Sequence, residues 1–143
     1  MKVHNMLKQK GGTVATIQPD AQISAAVKLL EAKGIGALVV SADGKAVDGI
    51  ISERDIVRAL AGQGGDLLAM PVDTIMTGNV VTCTPEDSLN HIMGEMTQRR
   101  FRHMPVVEDG VLCGIISIGD VVKSRLEELE TETTVLREYI AGA

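Results

Sequence analysis

Two four-residue segments carry the residue types best suited to chemistry: Ser52-Glu53-Arg54-Asp55 and Ser117-Ile118-Gly119-Asp120. Each follows a strand-like run, Gly49-Ile50-Ile51 or Gly114-Ile115-Ile116, and each opens a stretch with helical character. A serine followed three residues later by a carboxylate is a helix-start pattern. The hydroxyl accepts a free amide, and the acid complements the positive end of the helix. Capping alone accounts for one such segment; its recurrence at matched strand ends asks for more. Free amides and a hydroxyl at a helix start suit phosphate oxygens, and a carboxylate facing a cleft accepts twice from a ribose diol. Basic side chains opposite neutralise the phosphate. Arg99, Arg100, Arg102 and His103 fall within five positions of a chain whose net charge is −5. Gly119, a poor helix former in a first turn, leaves the backbone there open to close approach. Together these groups describe a nucleotide.

The segments recur because the chain repeats. Gln18-Pro19-Asp20, Ile23, Val27 and Leu30 return 66 positions later as Thr84-Pro85-Glu86, Leu89, Met93 and Met96. Asp43-Gly44 returns at the same shift as Asp109-Gly110, and, after a one-residue deletion, Gly49-Ile50-Ile51-Ser52 and Asp55 return as Gly114-Ile115-Ile116-Ser117 and Asp120. Two copies of one supersecondary unit imply a pseudo-two-fold axis with clefts between the halves. A repeat of about 60 residues has a marginal core by itself, so the copies are expected to bury their apolar faces against each other.

Within each copy the pattern predicts an α/β unit of order β-α-β-β-α. Val14–Ile17 and Val80–Cys83 are short β-branched runs, and Pro19 and Pro85 fit a first helical position, with Thr84 as cap and Asp87 as its capping-box partner. Ile23, Ala26, Val27 and Leu30, then Leu89, Ile92, Met93 and Met96, mark one helical face each. Ala37–Val40 and Met104–Val107 read as strands, Asp43-Gly44 and Asp109-Gly110 as hairpin turns, and Val47–Ile51 and Val111–Ile116 as return strands. Val3, Met6 and Leu7 predict a lead-in helix, echoed by Val72, Ile75 and Met76; Ala61–Asp66 reads as a flexible linker. The final helix is long, with Val122, Leu126, Leu129, Thr133, Leu136 and Ile140 spaced alternately by four and three, a seam suited to a partner helix. The expected divisions are 1–61 (lead-in and first repeat), 62–75 (linker and second lead-in), 76–124 (second repeat) and 125–143 (C-terminal helical extension).

Hydrophobic residues make up 45% of the chain and aromatic ones 1%, so the core must be aliphatic, with seven methionines available to fill gaps. The acidic balance argues against general binding of nucleic acid or anionic membranes. No apolar run approaches the roughly 20 residues of a membrane span, nor is there the apolar region of a secretory signal. Cys83 and Cys113 sit at unmatched places with no ligand spacing, pointing to reduced core thiols in a cytoplasmic protein and to no metal. There is no Walker loop, Gly-x-Gly-x-x-Gly or nucleophile elbow, and nothing places a base on Ser117, so enzyme activity is not expected. His4 and His91 are isolated. Glu53 and the run Glu127 to Glu132 read as solvated faces.

The ordered set Ile-Gly-Ala-Leu-Val-Val (35–40), Asp-Gly, Gly-Ile-Ile-Ser-Glu-Arg-Asp-Ile-Val (49–57) resembles a CBS domain. The second copy, Arg-Phe-Arg-His-Met-Pro-Val-Val-Glu-Asp-Gly (100–110) and Gly-Ile-Ile-Ser-Ile-Gly-Asp-Val-Val (114–122), is similar to it more closely still. Residues 12–60 and 76–124 carry the resemblance, that of a stand-alone CBS pair, or Bateman module. It implies two adenine-nucleotide clefts, each mixing the repeats. One would use Ser52, Arg54 and Asp55 with Gly78, Val80, Phe101, Arg102 and His103. The other would use Ser117, Gly119 and Asp120 with Val14, Ile35, Gly36 and Ala37, and would be the more open, suited to a larger adenylate such as NAD(H). The first, richer in basic groups, would hold AMP, ADP or ATP more tightly. A regulatory role, a homodimer and an effector protein are further expectations of the resemblance; a ligand-independent scaffold is the rival reading.

Overall fold

The computed structural model describes residues 1–142. Helix α1 (Val3–Lys10) precedes the first repeat: β1 (Thr16–Ile17), α2 (Ile23–Lys33), β2 (Ala37–Val40), β3 (Gly49–Ser52) and α3 (Glu53–Gln63). Two 3₁₀ turns, Gly64–Ala69 and Val72–Thr74, lead to the second: α4 (Leu89–Arg99), β4 (His103–Glu108), β5 (Val111–Ser117) and α5 (Ile118–Gly142). In the first sheet β1 runs parallel to β2, which pairs antiparallel with β3; in the second, β4 and β5 form a hairpin. The fold is the α/β duplication that the repeat implies.

Several details differ from the expectation. Strand Val80–Cys83 shrinks to one parallel bridge, Cys83 with Val106, the counterpart of Ile17 with Val40. Pro19 and Pro85 do not open helices: α2 starts after Gln22 and α4 after Ser88, whose hydroxyl accepts the His91 amide at 3.2 Å. Asp87 instead closes the preceding turn on the Thr84 amide at 2.8 Å. Asp109 and Gly110, both at positive φ, make the two-residue turn expected of them. Asp43 does not. Its carboxylate gathers the amides of Lys45 and Ala46 at 2.8 and 2.9 Å, so the loop widens and the return strand begins only at Gly49.

The apolar faces do not merge into one core. Ile23, Ala26, Leu30, Leu38, Val40, Ile51 and Ile56 form one cluster, completed by Leu67, just beyond the stretch expected to be a flexible linker, and by Val72 of the expected second lead-in. Leu89, Ile92, Met96, Met104, Val106, Ile116 and Val121 form the other, completed by Val3 and Met6 of α1. Each repeat is therefore closed by the segment preceding the other repeat. Main-chain bonds fix both docks: Val3 N to Asp87 O (2.9 Å) and Leu89 N to Met1 O (2.8 Å) on one side, Ile23 N to Met70 O (2.9 Å) and Val72 N to Ala21 O (2.8 Å) on the other. Cys83 lies in the second cluster, and burial pushes its thiol up to about 12, so it stays protonated.

Matched glycines make room for these docks. A Cβ on Gly49 would stand 2.6 Å from Met76 Sδ and 2.8 Å from the Thr77 carbonyl; one on Gly114 would stand 2.6 Å from Leu7 Cδ2. A terminal methyl can turn aside, whereas a carbonyl in a bridged strand cannot. Gly49→Ala is therefore expected to destabilise the chain by about 1–3 kcal/mol and Gly114→Ala by clearly less, read from urea unfolding. Leu7→Ala should relieve the second substitution and leave the first unchanged.

Candidate functional site

Both serine segments do cap helices. Asp55 Oδ2 accepts the Ser52 amide and hydroxyl, each at 2.9 Å, and Ser52 Oγ accepts the Asp55 amide at 3.2 Å. Asp120 Oδ2 accepts the Ser117 amide at 2.9 Å, and Ser117 Oγ accepts the Asp120 amide at 3.1 Å. The box locks each carboxylate by one oxygen and fixes where the other points. What surrounds the two boxes is different.

Asp55 lines a cleft of about 320 Å³ between the repeats, within the size of small-ligand sites. Ser52, Glu53, Arg54 and Arg58 come from the start of α3, and Arg100, Phe101, Arg102 and His103 enter from the second repeat. Ile50 and Thr77, joined by a reciprocal pair of main-chain bonds at 3.0 and 2.9 Å, also line the cleft. Four arginines stand against two carboxylates in this acidic chain. The cleft thus brings together Ser52, Arg54, Asp55, Phe101, Arg102 and His103, while Gly78 and Val80 are not on this wall. Gly36, expected in the other cleft, lines this one; a Cβ there would lie 3.4 Å from His103 Cε1 and Nε2.

Arg58 was missed, and Arg100, one of the clustered basic residues, was assigned to neither cleft. Arg58 lies one helical turn beyond Arg54, a spacing that shares a face. Arg100 ends α4 at φ 58°, the left-handed conformation that Gly34, its match in the first repeat, adopts at φ 61°. A non-glycine residue held there is strained, and the strain delivers a guanidinium to the cleft. Arg99 points elsewhere and pairs with Glu95 at 3.0 Å.

The second cleft is not the more open one. Lys10 of α1 bonds Asp120 Oδ2 at 2.6 Å and the Ile115 carbonyl at 2.9 Å, and the space left beside Asp120 is about 130 Å³, lined by Met6, Leu7, Lys10 and their neighbours. Burial alone would push the Asp120 carboxyl up, but the Lys10 ammonium and the Ser117 amide hold it below its ordinary value. Gly119 and Ile35 line separate surface grooves, Ala37 is buried in β2, and Val14 is half-buried just before β1. Among the described residues nothing crowds Gly119: a Cβ there would meet Ser117 Oγ at 3.6 Å.

Residues 12–62 and 72–127 match the CBS domain. The chain belongs to the CBS-domain family. It is a CBS pair over most of its length, and its curated relatives include the CBS domain-containing protein CBSX3, mitochondrial, of Arabidopsis thaliana, 36% identical over 98% of this chain and 72% of that one. Among solved structures, the CBS-domain containing protein ATU1752 from Agrobacterium tumefaciens superposes with a TM-score of 0.84 at 50% identity, covering 87% of this pair and 99% of the other. The CBS domain pair of protein MJ0100, crystallised with 5′-methylthioadenosine and S-adenosyl-L-methionine, gives 0.77 at 27% identity over 91% and 98%. Among the described residues no helix is long and apolar enough to cross a membrane.

Two outcomes test this geometry. Arg100→Gly should raise the unfolding free energy by on the order of 1 kcal/mol, since it relieves a left-handed non-glycine residue, measured by chemical denaturation. The second concerns His103, whose imidazole is pushed below its usual value first by burial and then by the Lys10 ammonium; Asp120 and Glu53 oppose and Arg102 adds to the depression. The unfolded chain therefore binds the extra proton first as pH falls below about 6.5. Stability should rise with pH through that window, and His103→Gln should flatten the rise.

Proposed function

We propose that this CBS pair is a regulatory module that binds an adenine nucleotide in the cleft between Asp55 and the Arg100–His103 segment. The observation that carries the reading is the pairing of a locked carboxylate with four arginines drawn from both repeats. Asp55 Oδ1 is the acceptor for a ribose diol, and the start of α3 with Arg54, Arg58, Arg100 and Arg102 is the seat for phosphate. Phe101 and Ile50 supply apolar surface for the base, which would bond to main-chain groups. The adenosine ligands of the MJ0100 pair support the base and sugar part of this assignment. Their 5′ substituents are neutral or cationic, however, and the arginine count here favours phosphates, so AMP, ADP or ATP is preferred over S-adenosylmethionine.

The position beside Ser117 and Asp120 takes a ligand such as NAD(H) only after Lys10 leaves Asp120. Ligand in the first cleft touches both repeats and so favours one relative arrangement of them. In a homodimer that shift is passed to an effector protein rather than used for catalysis.

Calorimetry and thermal shift with AMP, ADP, ATP, NAD(H) and adenosine test the assignment. At a hundredfold excess over Kd, a bound nucleotide should stabilise the chain by about 2.7 kcal/mol. Asp55→Ala should weaken every adenylate by about tenfold or more, in line with a lost charge-assisted bond. Arg58→Ala and Arg100→Gly should weaken AMP and ATP while leaving adenosine unchanged. A chain indifferent to all five compounds would leave the scaffold reading in its place.

A further inference from the structure

Helix α5 continues well past the CBS fold. Val121 and Ser124 are buried against the second repeat, but residues 131–142 are exposed throughout. Isolated helices of fewer than about 12–15 residues are marginal in water, and this one also shows a row of large apolar side chains. Val122, Leu126, Leu129, Leu136 and Ile140 are 42 to 66% exposed and, with Thr133, fall at alternating steps of four and three. In heptad terms Leu126, Thr133 and Ile140 occupy position a, and Val122, Leu129 and Leu136 occupy position d. The Thr133 hydroxyl already bonds the Leu129 carbonyl at 2.9 Å, so its methyl can face a partner. β-Branched residues at two of three a positions and leucine at two of three d positions favour two strands in parallel.

The flanking charges choose the partner and its direction. Positions g hold Arg125, Glu132 and Tyr139, and positions e hold Lys123, Glu130 and Arg137. In a parallel in-register pair each g residue faces the e residue five positions later on the other helix. Arg125 then meets Glu130, and Glu132 meets Arg137, twice over by symmetry. An antiparallel pair centred on the same seam sets Lys123 near Arg137, and Glu130 and Glu132 each near its own copy. Glu132 and Arg137 form no ion pair with the described residues of their own chain, whereas Arg125 also pairs with Glu128 at 3.1 Å.

We infer that residues 122–140 of α5 form a parallel, in-register, two-stranded coiled coil with a second copy of this chain, over about 27 Å. The inference rests on the homodimer of the proposed function and supplies its surface; it does not depend on the ligand.

Sedimentation equilibrium of the full chain tests it with three variants. Glu132→Arg and Arg137→Glu should each raise the dimer dissociation constant about tenfold, and the double variant should restore it to within about threefold, as expected of coupled exposed charges. Ile140→Cys should give a disulfide-linked dimer under mild oxidation, since a parallel register alone sets position 140 against itself. A dimer indifferent to both charge reversals, or one that Ile140→Cys fails to cross-link, overturns the coiled coil while leaving a homodimer through another face. A full chain that stays monomeric overturns both, and adenylate binding stands apart from either result.

Discussion

The structure depends on an exchange of buried segments. Neither repeat contains all of its own core: Leu67 and Val72 close the first, and Val3 and Met6 close the second. Because each closing segment immediately precedes the opposite repeat, the two halves are held together without a broad apolar interface between them. Gly49 and Gly114 are the spatial condition for this arrangement, each admitting a long side chain where a Cβ would stand. The cleft follows from it. The Ile50–Thr77 bridge that helps line it is part of the first dock, and α1, which closes the second repeat, carries the Lys10 that fills the opposite position.

Duplication preserved the helix starts and let their surroundings diverge. The two capping boxes agree to within about a tenth of an ångström in their amide bonds, so the carboxylates are presented alike. One faces arginines across an open gap; the other is neutralised by an ammonium from its own chain. The asymmetry comes from the residues brought opposite each box, not from the boxes. His103 lies at the join, 3.4 Å from where a Cβ on Gly36 of the first repeat would stand and within the field of Lys10.

How much of this was legible follows from which interactions are local. The Ser-x-x-Asp boxes, the Asp109-Gly110 turn and the Ala37–Val40 strand depend on neighbours in sequence, and their residue types declare them. The helix starts at Gln22 and Ser88 were obscured because Pro19 and Pro85 offer an equally good local start, overruled in the second copy when Asp87 takes the Thr84 amide for a turn. The Ala61–Asp66 stretch reads as flexible, yet its second half belongs to a 3₁₀ turn anchored by the fully buried Leu67 that follows. Arg58 was within reach of helical spacing from Arg54. The charge of Arg100 was legible but its direction was not, because it depends on a left-handed residue that only comparison with Gly34 makes visible. The role of Lys10 is non-local altogether, 110 positions from its partner.

The near absence of aromatic residues, first a constraint on the core, also labels the molecule. Its one phenylalanine, Phe101, lines the cleft, and its one tyrosine, Tyr139, is 76% exposed beside the seam of α5; there is no tryptophan. Tyrosine emission from the unmodified chain therefore comes from the helix end alone, and the phenyl ring resonances come from the cleft alone. The two regions can be watched separately, in one sample, without adding a dye.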